Sequence, residues 1–148
     1  MKAARSLLGI LCAALGALTA APLAWLLLRG GLFTGIAGLT GFCLSALGWR
    51  LGSGRSGGFG LGLAALLTPP AALPGLWYGC AELILRDNAQ YGCTLKEALE
   101  LVPMVALDPG NRAELLWALG GLIFMDLLCA LLAARYLRLR KAEQINKR

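Results

Sequence analysis

Gly30-Gly31-Leu32-Phe33-Thr34-Gly35-Ile36-Ala37-Gly38-Leu39-Thr40-Gly41-Phe42-Cys43-Leu44-Ser45-Ala46-Leu47-Gly48-Trp49-Arg50-Leu51 is the stretch that decides the fold. With the apolar approach at residues 9–28, it reads as two membrane helices joined by a minimal turn. Small residues recur on both: Gly9, Ala13, Gly16 and Ala20 on the first, Gly31, Gly35, Gly38, Ser45, Gly48 and Gly52 on the second. Gaps of three, four and seven hold each set on one helical face. In lipid, such faces let two backbones approach closely, because packing drives helix association there. Gly9, Gly16, Gly31, Gly35, Gly38 and Gly48 are therefore the expected helix-packing positions.

Composition gives the same solvent. Hydrophobic residues make up 58% of the 148-residue chain and charged residues 15%, against about 25% charged in soluble domains. A soluble domain of this length has no way to cover that much apolar surface. Five cysteines are scattered without a CxxC, and histidine is absent. Zinc-site patterns and histidine-based catalysis are thereby excluded. Cys80 and Cys93 are the one pair able to meet on one side of a membrane. No cofactor motif is present, and no metal site is expected.

Residues 7–28 form the first expected span, about 33 Å long at 1.5 Å per residue. At about 22 residues the run exceeds a signal-peptide core of roughly 7–15, so it reads as a retained helix, with Pro22 kinking its outer third. The second span is expected over 32–51, closed by Trp49 and Arg50. The third, 59–85, contains Pro69, Pro70 and Pro74. Each removes a backbone donor and crowds the preceding turn. They are expected either to break the helix, leaving carbonyls to line a site, or to kink it with repair by neighbouring helices. Glu82 stands four residues before Arg86, the spacing of a surface ion pair.

Between spans three and four lies the outer polar segment. Thr94 and Glu97 have capping-box spacing, and Leu95, Ala98, Leu99 and Val102 share one face. An amphipathic helix over 94–107, interrupted by Pro103, suits the membrane surface. Asp108 and Pro109, or Asn111 and Glu114, are placed to begin the last span, 113–136. A basic tail, 137–148, follows.

Charge sets the orientation. Lys2, Arg5, Arg50, Arg55, Arg135, Arg138, Arg140, Lys141, Lys147 and Arg148 fall on one side of a four-span arrangement, against Glu143 alone. The other side carries Arg29, Arg86, Lys96 and Arg112 with six acids. The positive-inside rule then puts both termini in the cytoplasm. The basic tail serves as this topology signal; its other reading is attraction to anionic lipid headgroups. It has no aromatic interleaving or fold that would suit nucleic acid, so no nucleic-acid partner is expected.

Asp126 is the sharpest candidate residue. An acid at the centre of a membrane helix costs about 2.5–3.5 kcal/mol on insertion scales and marks an ion or proton site by default. Its other reading is a neutral acid bridging helices. Thr34, Thr40, Ser45 and Thr68 are the hydroxyls placed to meet it. Glu82 lies too far along its own helix to form an acid–base pair with it.

Ala21-Pro22-Leu23-Ala24-Trp25, Gly48-Trp49-Arg50-Leu51, the stretch from Tyr78 to Glu82, Tyr91-Gly92, Ala98-Leu99, Val102-Pro103 and Asp108-Pro109 occur in an order that runs through most of the chain. In that order the chain resembles a loosely defined group of small, uncharacterised multi-pass membrane proteins of anaerobic Gram-positive bacteria. The resemblance implies topology only.

The expected architecture is an all-α integral membrane four-helix bundle in the plasma membrane, with a short interfacial helix between spans three and four. The expected function is non-enzymatic, through helix packing or assembly with a second copy or another membrane protein. The alternative is a small transporter or channel with a broken third helix and Asp126 as its proton or cation site.

Overall fold

The seam between the first and third helices is built from the smallest side chains of the chain. A computed structural model describes residues 2–55 and 57–146, excepting the side chains of 2, 3, 111, 114, 140, 141 and 143–146. The expected capping pair Asn111 and Glu114, and the basic residues Lys2, Arg140, Lys141, Lys147 and Arg148, have side chains outside the described set. The elements are α1 (Lys2–Leu18), α2 (Ala20–Arg29), α3 (Gly35–Ser53), α4 (Gly58–Asp87), a 3-10 turn (Ala89–Tyr91), α5 (Leu95–Leu107) and α6 (Pro109–Asn146). No strand occurs among the described residues.

The first apolar run is divided at Thr19 rather than kinked at Pro22. Proline has no N–H to give to the Leu18 carbonyl, but it is tolerated in a first helical turn, where donors lack intrahelical partners anyway. The helix therefore restarts at Ala20, just before it. Thr19 closes the break by donating its N–H (3.3 Å) and its hydroxyl (2.7 Å) to Gly16 O. Together the two helices supply the apolar stretch Ala4–Arg29.

Gly31 corrects an expected packing position. Its φ of +64° is left-handed, and nothing lies within 4 Å of where a Cβ would stand. It turns the chain between α2 and α3 and packs against no helix. Consequently α3 begins at Gly35, three residues after the expected start. Gly54, with φ +67°, ends it.

The expected break at Pro69, Pro70 and Pro74 is also corrected, because α4 is helical from Gly58 to Asp87 with all three inside. The missing N–H groups free the carbonyls of Ala65, Leu66 and Pro70 from their usual helical donors. Pro70 and Pro74 lie on the exposed face, where the ring has room and the helix can bend away. Pro103 likewise lies within α5 without interrupting it. Pro109 opens α6 at its first position, where proline fits, and the helix continues through the expected tail to Asn146.

The capping box of α5 forms as its spacing predicts. Glu97 N–H donates to Thr94 Oγ1 (3.4 Å), and Thr94 N–H and Oγ1–H each donate to Glu97 Oε2 at 2.8 Å. The backbone bond first, then the hydroxyl, hold the Glu97 carboxyl below the usual carboxylate range. Its contribution is present above the unfolded carboxylate range and lost as pH falls through the lowered folded value. Faster amide exchange in the first turn of α5 at acid pH checks this. Thr94→Ala is expected to loosen the same turn by about 1 kcal/mol at neutral pH.

Burial is inverted relative to a water-soluble domain. Ala13, Ala17, Ala20, Ala24, Ala37, Ala64, Ala72 and Ala81 are buried, whereas Leu15, Phe59, Leu66, Trp117, Phe124 and Leu131 are more than 60% exposed. Three stretches, Ala4–Arg29, Gly58–Asp87 and Leu115–Leu139, are long and apolar enough to cross a membrane. At 19 residues, α3 is shorter and diluted by five glycines and Arg50. It nevertheless packs on α1, α2, α4 and α6. At the opposite end of α4 from Gly58, Ala81 and Ile84 meet Ala98 and Val102 of α5.

Candidate functional site

Five of the six expected packing glycines lie on close helix contacts, and their neighbours fix the register. A Cβ on Gly9 would stand 2.8 Å from Ser53 Cβ, and one on Gly52 would stand 2.7 Å from Gly9 Cα. On Gly48 it would strike the Cys12 carbonyl, and on Gly16 the Leu44 carbonyl and Ser45 N. The pairs descend α1 as they climb α3, so the two run antiparallel with backbones in direct contact. Gly38 instead abuts the Leu122 carbonyl of α6. Gly35 is close to the Phe33 ring and to Met125 of α6.

Sequence reasoning missed Gly41, Gly60, Gly75 and Gly79. Gly75 lies against the Ala21 carbonyl of α2, and Gly60 against the Trp49 ring. Their signal was available: Gly60, Ala64, Thr68, Ala72, Gly75 and Gly79 have helical spacing, but the three prolines among them drew the reading toward a broken segment.

Thr34 and Gly38 set α6 parallel to α3. The Thr34 hydroxyl donates to Ala118 O at 2.6 Å, and Gly38 meets Leu122 four residues further along. One more turn brings Asp126 level with Phe42. From α4, Thr68 reaches the same level: its Cγ2 would lie 2.8 Å from a Cβ on Gly41. The centre of the bundle therefore brings together Thr68 of α4 and Asp126 of α6, both at most 1% exposed; Ser45, equally buried, lies where α3 meets Gly16 of α1.

This centre is polar but incompletely satisfied. The Thr68 hydroxyl stands beside the Asp126 carboxyl yet gives its proton to Ala64 O at 2.8 Å. Both Asp126 oxygens and Ser45 Oγ lack a hydrogen-bond partner among the described residues. Of the four hydroxyls expected to meet Asp126, Thr34 bonds Ala118 and Thr40 bonds Ile36 O at 2.9 Å. Only Thr68 reaches the carboxyl. A buried acid with no bonded donor carries its full desolvation penalty, and among the described residues only the Thr68 hydroxyl stands beside these oxygens. Among the described residues, no three His, Cys, Asp or Glu side chains form a metal-binding group. Cys80 and Cys93 are both free thiols.

A second polar cluster ties α2 to α4, and it displaces the expected Glu82–Arg86 pair. Glu82 accepts a hydrogen bond from Trp25 Nε1 (2.6 Å) and pairs with Arg29 Nη1 (3.3 Å). Tyr78 meets the Trp25 ring edge-on at 6.1 Å, and the Arg29 guanidinium lies 5.9 Å from that ring's centroid. Arg86 instead approaches its neighbour Asp87 at 4.0 Å. Glu82→Ala is expected to destabilise by about 1–2 kcal/mol, since it leaves Trp25 without a charged acceptor. Arg29→Gln is expected to change stability by at most about 0.5 kcal/mol, because the Arg29 side chain is 57% exposed and the pair is screened. Thermal unfolding in mild detergent checks both, with Trp25 emission marking the loss at this end.

Compared with protein families, curated proteins and solved structures, the chain matches none.

Proposed function

We propose that the chain is an integral membrane protein of the plasma membrane that crosses the bilayer four times and acts without catalysis, through helix packing and assembly. Both termini lie in the cytoplasm in this reading. α5 rests on the outer membrane surface, its Ala98 and Val102 side held by α4. The supporting observation is the inverted burial: alanine and glycine inside, leucine and aromatic residues outside. Lipid is the solvent that makes such an exterior stable.

The glycine faces are occupied within one chain, so association with a second copy or another membrane protein falls to other surfaces. The lipid-facing side of α6, with Trp117, Phe124, Leu127 and Leu131 exposed, is the most extended of these. Extraction and mass measurement test the reading. The chain is expected to resist alkaline extraction from membranes, to require detergent, and to elute in mild detergent with more than one chain's mass of protein. Release as a water-soluble monomer contradicts it.

The orphaned Asp126 carboxyl favours a second reading, a transporter of protons or monovalent cations. Oxygen atoms of Asp126 and Thr68 are chemically suited to a hard cation. In that reading Asp126→Asn abolishes proton- or cation-dependent flux in proteoliposomes. Flux that is absent in the parent chain, or unchanged in the variant, removes it.

A further inference from the structure

The end of the bundle carrying the α3–α4 connection holds an apolar cleft of about 350 Å³ between α3, α4 and α6. Phe42, Leu47 and Leu61 supply apolar wall, while Arg50, Arg55 and Tyr136 also border the cleft. A second cleft of about 460 Å³ on the α1 side shares Arg55 and Trp49 with it. Neither arginine has an ion-pair partner among the described residues. Among the described residues no acid lines either cleft. The comparable cleft at the other end, about 450 Å³, differs in charge: Arg86 there is accompanied by Asp87.

We propose that the α3–α4–α6 cleft is a binding site for an anionic phospholipid, with an acyl chain along Phe42, Leu47 and Leu61 and the headgroup phosphate held by Arg50 and Arg55. Charge complementarity selects this occupant: two guanidinium groups without an ion-pair partner among the described residues suit a phosphodiester, and Arg is the side chain matched to its paired oxygens. The apolar wall excludes a free phosphate as the whole ligand. Trp49 and Tyr136 add the aromatic residues that collect at a membrane interface. In the proposed orientation this end faces the cytoplasmic leaflet, where anionic lipids attract basic residues. The inference rests on the proposed bilayer immersion.

Native mass spectrometry of the full chain in mild detergent, titrated with phosphatidylglycerol, phosphatidylcholine or inorganic phosphate, is the test. One phosphatidylglycerol is expected to bind and survive dilution, while phosphatidylcholine is lost and phosphate neither binds nor competes. With each arginine worth about fivefold near an anionic surface, Arg50→Gln with Arg55→Gln is expected to weaken phosphatidylglycerol binding about thirtyfold. Arg86→Gln is expected to leave it unchanged. Leu61→Trp, which fills the apolar wall and keeps both arginines, is expected to displace the lipid and keeps the question answerable if the double variant does not fold. Equal retention of phosphatidylcholine, phosphate binding as tight as lipid binding, or undiminished phosphatidylglycerol on either groove variant overturns the proposal. A chain that stays soluble without detergent overturns the membrane reading instead, so the two failures are distinguishable.

Discussion

Gly48→Leu is expected to separate α1 from α3 and destabilise the bundle by about 3 kcal/mol or more. The reason is geometric. A single added carbon at Gly48 already meets the Cys12 carbonyl group, with Cys12 C at 2.7 Å and Ala13 N at 3.1 Å. These are backbone atoms of a packed helix, so no side-chain rotation relieves the overlap. Even Gly48→Ala is expected to destabilise, although alanine is better than glycine in a helix by about 1 kcal/mol. Gly62 and Gly120 reverse that sign, since nothing lies within 4 Å of a Cβ at either. There Gly→Ala is expected to be neutral or to stabilise by up to about 1 kcal/mol. Unfolding in mild detergent, followed by helical circular dichroism, compares the four variants. Equal effects at Gly48 and Gly120 would remove the close α1–α3 contact from the account.

Asp126→Val is expected to raise stability by about 1–3 kcal/mol. Most buried polar groups lose stability when removed because they leave a partner unsatisfied. Asp126 leaves none: its two oxygens receive no hydrogen bond among the described residues, and Thr68 is already bonded to Ala64. Valine keeps the site filled while removing the desolvation penalty. A stabilised variant marks Asp126 as a group retained at the expense of the fold, the signature of a functional acid. A destabilised Asp126→Val would mean that the carboxyl has a bonded partner in the folded protein, and the orphaned centre would then be a hydrogen-bonded bridge.

The helices and their small faces were legible because they are periodic. Gly9, Gly16, Gly38 and Gly48 announced the contacts they make through spacing alone. The capping box of α5 was legible for the same reason, since its partners are three residues apart. What escaped was either masked by a stronger local signal or set by contacts distant in sequence. The α4 small face lay under Pro69, Pro70 and Pro74, whose local penalty suggested a break that the surrounding helices prevent. Gly31 has helical spacing to Gly35 and Gly38, but the turn that follows Arg29 takes it out of the helix. Glu82 had a good local partner at Arg86, yet its bonds run 57 residues back to Trp25 and to Arg29 beside it. Asp126 could be singled out as a buried acid, whereas the choice of Thr68 over Thr34 and Thr40 required the parallel register of α3 and α6.

We propose that α3 crosses the bilayer, although with 19 residues, five glycines and Arg50 it is not among the three stretches long and apolar enough to do so by themselves. Single cysteines placed at Gly30 and at Arg55, in a chain freed of its native thiols, test this most directly with a membrane-impermeant thiol reagent. Gly30→Cys is expected to be labelled on intact cells, and Arg55→Cys only after the membrane is opened. Labelling of both sites on intact cells would place the two ends of α3 on one side and contradict the account.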